Sequence, residues 1–158
     1  MARMACTFHS VDNFGDKMKP QLLTLLALIF MSLVACSNTS NDSLYRQLGG
    51  QVKVEQVVDN FIREIEFDVA IFAYFKDSDV ERFHEKLVEH LCQLTGGPCE
   101  YSGDTMEQVH GGMNISEADF NRGVDLFINA MTKADIPHPQ QNKVLAILAK
   151  TRKDILYL

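Results

Sequence analysis

The sequence predicts an all-α domain running from about Leu44 to Leu158. Apolar residues recur at three- and four-residue steps along this stretch, and no segment alternates apolar and polar as a half-buried strand does. Glycine and proline pairs stop each run: Gly49-Gly50, Gly96-Gly97-Pro98, Gly111-Gly112 and Pro137-His138-Pro139. There is no internal repeat and no glycine-rich phosphate loop.

Each element is justified by that pattern. Leu44–Leu48 reads as a short opening helix, separated from the next helix by Gly49-Gly50. Val54, Val57, Val58, Phe61, Ile62 and Ile65 place one amphipathic helix over about 51–67. The segment from Phe67 to Phe75 is short and rich in large apolar residues, which predicts a corner or one-turn helix packed inward. Ser78 and Glu81 have capping-box spacing and start a helix whose stripe is Phe83, Leu87, His90, Leu91 and Leu94. Asp104 with Glu107 caps a short helix that ends at His110. Ser116 with Asp119 starts another long helix, with Phe120, Val124, Phe127, Ile128 and Met131 on one side. After the break at Pro137–Pro139, with His138 in a surface loop, a last helix runs to about Tyr157 through Val144, Ile147, Leu148 and Ile155.

At 158 residues, 46% apolar and with a formal charge of −6, the chain has the length and balance of an ordinary acidic single-domain protein. No basic stripe interleaved with aromatics is present, so nucleic acid is not an expected partner. The cluster Lys150–Lys153 is one turn of solvated helix surface.

The first third has a different character. Leu22–Ala35 is a run of 14 residues without charge, against the roughly 20 that a spanning helix needs. That length suits the apolar part of a signal peptide, here residues 1–35, with Lys17 and Lys19 ahead of it. Leu33-Val-Ala-Cys36 resembles a bacterial lipobox, which implies lipidation at Cys36 and a membrane-anchored lipoprotein facing the periplasm or cell exterior. Met18-Lys-Pro begins a leader of normal proportions, so residues 1–17 read as an extension from a misassigned start. Residues 36–43 then form the acylated cysteine and a polar tether.

Polar residues on apolar faces are the candidates for chemistry. By position alone, His110 suits either a helix end, where a histidine meets the negative end of the dipole, or a metal ligand. His90 lies within an apolar stripe, where a satisfied core histidine is the ordinary reading; His84 sits one position round and faces solvent. His84, His90, Cys92, Cys99 and His110 share one region, yet no Cys-x-x-Cys or His-x3-His pair occurs, which disfavours zinc. Cys92 and Cys99 are candidates for a disulfide closing a short loop, a pairing that spacing leaves open. No Cys-x-x-Cys-His is present, so covalent c-type haem is disfavoured.

From Tyr45 onward the chain resembles the truncated haemoglobins, and most closely their group I. The resemblance is spread over Tyr45-Arg-Gln-Leu-Gly-Gly50, Val57-Val-Asp-Asn-Phe61, Tyr74-Phe75, Leu94-Thr-Gly-Gly-Pro98, Tyr101-Ser-Gly103 and Met106-Glu-Gln-Val-His110, with Ile115 and Phe120 after them. It implies a two-over-two helical sandwich around a non-covalent b-type haem, with His110 on the iron. Phe61, Ile62, Phe75, Phe83, Leu87, His90, Leu91 and Phe120 would line the slot, with Lys86 directed at a propionate or else an ordinary surface lysine. The implied function is reversible binding of a diatomic gas: oxygen, nitric oxide or carbon monoxide.

The sequence departs from the family on the ligand side. Group I members usually carry tyrosine where this chain has Ile62, and often glutamine where it has Leu87. A ligand that draws negative charge is stabilised by a nearby donor, so tight, slow-release oxygen binding does not carry over. His90 could present a nitrogen from farther along the helix, or His84 or His90 could reach the iron itself. The competing readings are a nitric oxide dioxygenase or peroxidase-like enzyme, which needs an external reductase, and a lipoprotein adaptor without haem.

Overall fold

The computed structural model of the protein describes residues 42–158. The expected leader, the Leu33–Cys36 motif with its acyl-accepting cysteine, and nearly all of the tether lie outside the described residues.

Helices account for the whole architecture: α1 Leu44–Leu48, α2 Gly50–Glu66, α3 Val69–Phe72, α4 Val80–Leu94, α5 Met106–His110, α6 Glu117–Lys133 and α7 His138–Leu148, then a 3-10 helix Ala149–Asp154. Among the described residues the one β-type pairing is an isolated bridge between Ile115 and Leu156, and no helix is long and apolar enough to cross a membrane. The all-α, two-over-two expectation holds, with α2 and α4 packed on α6 and α7.

The main core is supplied by one stripe from each long helix. Val54, Val57 and Val58 from α2 meet Val88 and Leu91 from α4, Phe127 and Met131 from α6, and Val144 from α7. Each such side chain contributes roughly 1.5–3 kcal/mol by leaving water. A second, smaller cluster of Ile65, Ile71 and Leu126 has Phe61, Phe75 and Phe83 packed against it. Between the helices, Lys53 Nζ donates to Ala134 O at 2.7 Å and Asn60 Nδ2 to Ala130 O at 3.2 Å, capping α6's last carbonyls.

Several boundaries differ from the sequence reading. The cap of α4 is Asp79, which accepts from Arg82 N at 3.0 Å, whereas Ser78 closes the preceding turn onto Phe75 O. Both residue types cap well, and the turn decides between them. Likewise α5 is capped by Thr105 with Gln108 rather than by Asp104 with Glu107. Ser116 and Asp119 form the expected capping box of α6. The corner is only partly turned inward: Ile71 is buried, but Phe67 and Val69 stand in solvent, because Asp68 instead turns in to cap α3 and bind Arg122. His138 is not in a loop but is the first residue of α7, with Pro139 in the first turn, where a missing N–H costs nothing. The last helix ends at Leu148 and tightens, since the chain beyond it is drawn back to Ile115.

Cys92 and Cys99 are joined in a disulfide, with Cα atoms 5.8 Å apart. Gly97 lies tight against it. A Cβ there would come within 2.5 Å of Cys92 Sγ and 2.9 Å of both Cys92 O and the Tyr45 ring. Gly97→Ala is therefore expected to destabilise the fold by about 1–3 kcal/mol through overpacking, read as a lower urea midpoint. An unchanged midpoint would show that the turn yields freely.

Candidate functional site

α5 has only five residues and depends on its cap. Gln108 N donates to Thr105 Oγ1 at 3.3 Å and Thr105 N to Gln108 Oε1 at 2.9 Å. His110 is its last residue and is half-buried. Its Nδ1 lies 2.8 Å from the carbonyl oxygen of Met106, one turn back. A carbonyl can only accept, so Nδ1 donates this bond, and in the Nδ1–H tautomer Nε2 keeps a lone pair for a metal or another acid. Gly111 lets the chain leave the helix, since a Cβ there would meet Glu107 O at 3.0 Å.

Behind α5 lies the C-terminal segment. The 3-10 helix packs on α5. Asn114 N donates to Leu158 O at 2.8 Å and Tyr157 N to Ile115 O at 3.1 Å. Arg152 reaches from the 3-10 helix over the Phe120 ring, 5.7 Å from its centroid, while binding Glu117.

On α4, Phe83, Leu87 and His90 recur at four- and three-residue steps, which sets them on one face. Phe83 packs edge-on to Phe75 with ring centroids 4.9 Å apart. Phe61 from α2 stands perpendicular to Phe127 at 5.2 Å. Ile62 and Leu87 lie half-buried against the main core, and Leu91 is within it. His90 is the polar member of the face. Its Nε2 is buried without any partner, its ring meets the Tyr101 ring at 4.7 Å, and burial pushes its pKa down, which keeps the imidazole neutral.

The remaining polar candidates are engaged elsewhere. Lys86 Nζ is held by Glu85 at 2.7 Å, Ser102 Oγ at 2.8 Å and Glu89 at 3.0 Å. Its hydrogen bonds to the two carboxylates, Glu85 first, raise its pKa. His84 Nε2 is 3.0 Å from Asp59 Oδ1, which ties α4 to α2. Among the described residues there is no group of three or more His, Cys, Asp or Glu side chains that could hold a metal ion.

A family model for bacterial-like globins matches residues 43–157. The group 1 truncated haemoglobin GlbN of Mycolicibacterium paratuberculosis is 30% identical over 113 residues, covering 72% of this chain and 83% of that protein. The chain belongs to the group 1 truncated haemoglobins. The group 1 truncated haemoglobin of Tetrahymena pyriformis is 25% identical over 114 residues, 72% of this chain and 94% of its own length. The crystal structure of that Tetrahymena protein in its Fe(III) form superposes with a TM-score of 0.71, covering 73% of this chain and 99% of that one. A Synechococcus 2/2 haemoglobin, at 19% identity and a TM-score of 0.67, shares the fold; the match covers 72% of this chain and 98% of that one.

Haem binding comes with membership of this family, and the globin's own residues fit the group. His110 has one ring nitrogen anchored to a carbonyl and the other without a hydrogen-bond partner among the described residues. Large apolar side chains (Phe61, Ile62, Phe75, Phe83, Leu87 and Phe120) remain half-buried, with surface still to cover. On that face of α4 the Nε2 of His90 is buried without a hydrogen-bond partner. An apolar plate with a central iron suits this set.

Sequence reasoning missed the residues that support these. The Met106 carbonyl was legible in principle, lying four residues before a helix-terminal histidine. Tyr101, Ser102 and Glu89 were not, because they meet only through the path of the loop between α4 and α5.

Proposed function

We propose that the globin holds a non-covalent b-type haem through His110 Nε2 and reversibly binds a diatomic gas: oxygen, nitric oxide or carbon monoxide. The bond from His110 Nδ1 to Met106 O carries this reading, because a ligating histidine needs its other nitrogen anchored to fix tautomer and ring orientation and to raise ligand basicity. When bound, the haem supplies an iron centre with an open position for a small ligand. Phe61, Ile62, Phe75, Phe83, Leu87, Leu91 and Phe120 exclude water and give the plate its apolar contacts. Ile62 and Leu87 offer no donor, so ligand retention rests on apolar enclosure and on His90, and release is fast.

Absorption spectra of the purified domain from residue 37, oxidised and reduced, test the reading. A Soret band that shifts on adding carbon monoxide, with all the haem extracted by acidified butanone, is the expected result. No Soret band, or haem that stays with the protein on extraction, overturns it. Steady consumption of nitric oxide with a supplied reductant would replace gas binding by a dioxygenase role.

The lipobox-like Leu33–Cys36 supports attachment of the globin to a membrane through acylated Cys36. Cys36→Ser is expected to stop incorporation of radiolabelled palmitate; equal labelling of the variant would rule out this anchor.

A further inference from the structure

Residues 95–105, between α4 and α5, form neither helix nor strand, yet they are fastened to α4 along most of their length. Gly97 N donates to Cys92 O at 2.8 Å, and Tyr101 N to Gln93 Oε1 at 2.7 Å. Ser102 N and Oγ donate to Glu89 Oε2 at 3.1 and 3.0 Å, and Lys86 Nζ donates to Ser102 Oγ. These bonds are largely exposed, and water competes for each. The Cys92–Cys99 disulfide is the one attachment with no such competitor.

What the loop presents is Tyr101. Its hydroxyl donates to Asp104 O at 2.7 Å, and its ring is pressed on Gly103, where a Cβ would collide with the hydroxyl oxygen. The ring is thus fixed within its own loop, and its edge abuts His90, whose Nε2 has no hydrogen-bond partner. Among the described residues no hydrogen bond holds that imidazole, so packing sets its orientation, and the Tyr101 ring is the aromatic contact against it.

We propose that Tyr101 is the positioning residue for His90 and that the Cys92–Cys99 disulfide is a redox-controlled staple setting its grip. The proposal rests on the reading of the Phe83, Leu87 and His90 face as a wall of the haem slot. Intact, the staple keeps the loop on α4 and His90 in one orientation; opened, it frees the loop and the imidazole turns.

The two sulfurs differ in access. Cys92 is wholly buried, shielded by Gly97, whereas Cys99 is partly exposed. A dithiol reductant therefore attacks Cys99 Sγ with one thiolate. The S–S bond breaks, Cys92 leaves as thiolate and takes a proton, and the second thiol of the reductant displaces Cys99. Two electrons and two protons pass to the protein, and the dithiol ends as a disulfide.

The test compares untreated, dithiothreitol-treated and Cys99→Ser protein. Hydrogen exchange at the Tyr101 and Ser102 amides, followed in haem-free protein, is expected to accelerate about tenfold when the staple is open. In haem-loaded ferrous protein, carbon monoxide dissociation is expected to change about threefold on opening, and Tyr101→Ala with the disulfide intact should reproduce that change. Unchanged amide exchange overturns the staple. Faster exchange with unchanged carbon monoxide dissociation overturns the link to His90. Because the exchange arm needs no haem, failure of the haem reading would show separately, as a missing Soret band.

Discussion

His110→Ala is expected to strip the globin of its haem while leaving its helices in place. The imidazole makes its one hydrogen bond to a carbonyl of its own short helix, and the reciprocal Thr105–Gln108 cap that holds α5 does not involve it. Its ring is half-buried rather than part of either core cluster. Far-UV circular dichroism should therefore change little, whereas haem retained through gel filtration should fall by at least about tenfold, equivalent to a lost binding free energy of about 1.4 kcal/mol or more. Imidazole added in solution can enter the space left and restore the Soret band. A variant with its spectrum intact would place the iron ligand elsewhere and return His110 to the status of a helix-end residue.

Phe127→Ala is expected to cost about 3–5 kcal/mol of stability, a large share of the roughly 5–15 kcal/mol available to a domain. Phe127 is almost fully buried in the main core, packed with side chains of α2, α4 and α7, so its removal leaves a cavity that rigid helices fill poorly. It also holds Phe61 by perpendicular stacking at 5.2 Å, an arrangement worth about 0.5–1.5 kcal/mol beyond burial. The variant thus loses core volume and releases a residue of the candidate slot at once. Urea unfolding of haem-free protein isolates the first effect from ligand linkage. A loss under about 1 kcal/mol would mean that the helices reclose around the gap.

Long helices with strong stripes were legible from sequence, and short-range choices between neighbouring caps were not. α2 and α6 fall where Val54–Ile65 and Ser116–Met131 place them. At Ser78-Asp79 and Asp104-Thr105, two adjacent residues can each cap, and the selection comes from contacts outside the helix, such as the pair between Arg82 and Asp104 at 3.6 Å. The end of α7 could not be read, because Ile147 and Ile155 continue the apolar spacing while the bridge from Leu156 to Ile115 diverts the backbone. At the site, His110 was legible as a candidate because glycine-terminated short helices are simple patterns. The Cys92–Cys99 pair stayed open on spacing and is joined in the structure. His90 was marked by its stripe, but its dependence on Tyr101 is a property of a folded loop.

Residues 155–158 also impose an order on folding. Asn114 and Ile115, four and five positions past the candidate iron ligand, take their partners from Tyr157 and Leu158. α2, α4 and α6 can begin to pack on one another before residues 155–158 join them, since their shared core does not include that segment. The segment that carries His110 has no such opportunity. It is secured only when residues 155–158 reach Asn114 and Ile115, so the turn beside the candidate ligand is set late in folding.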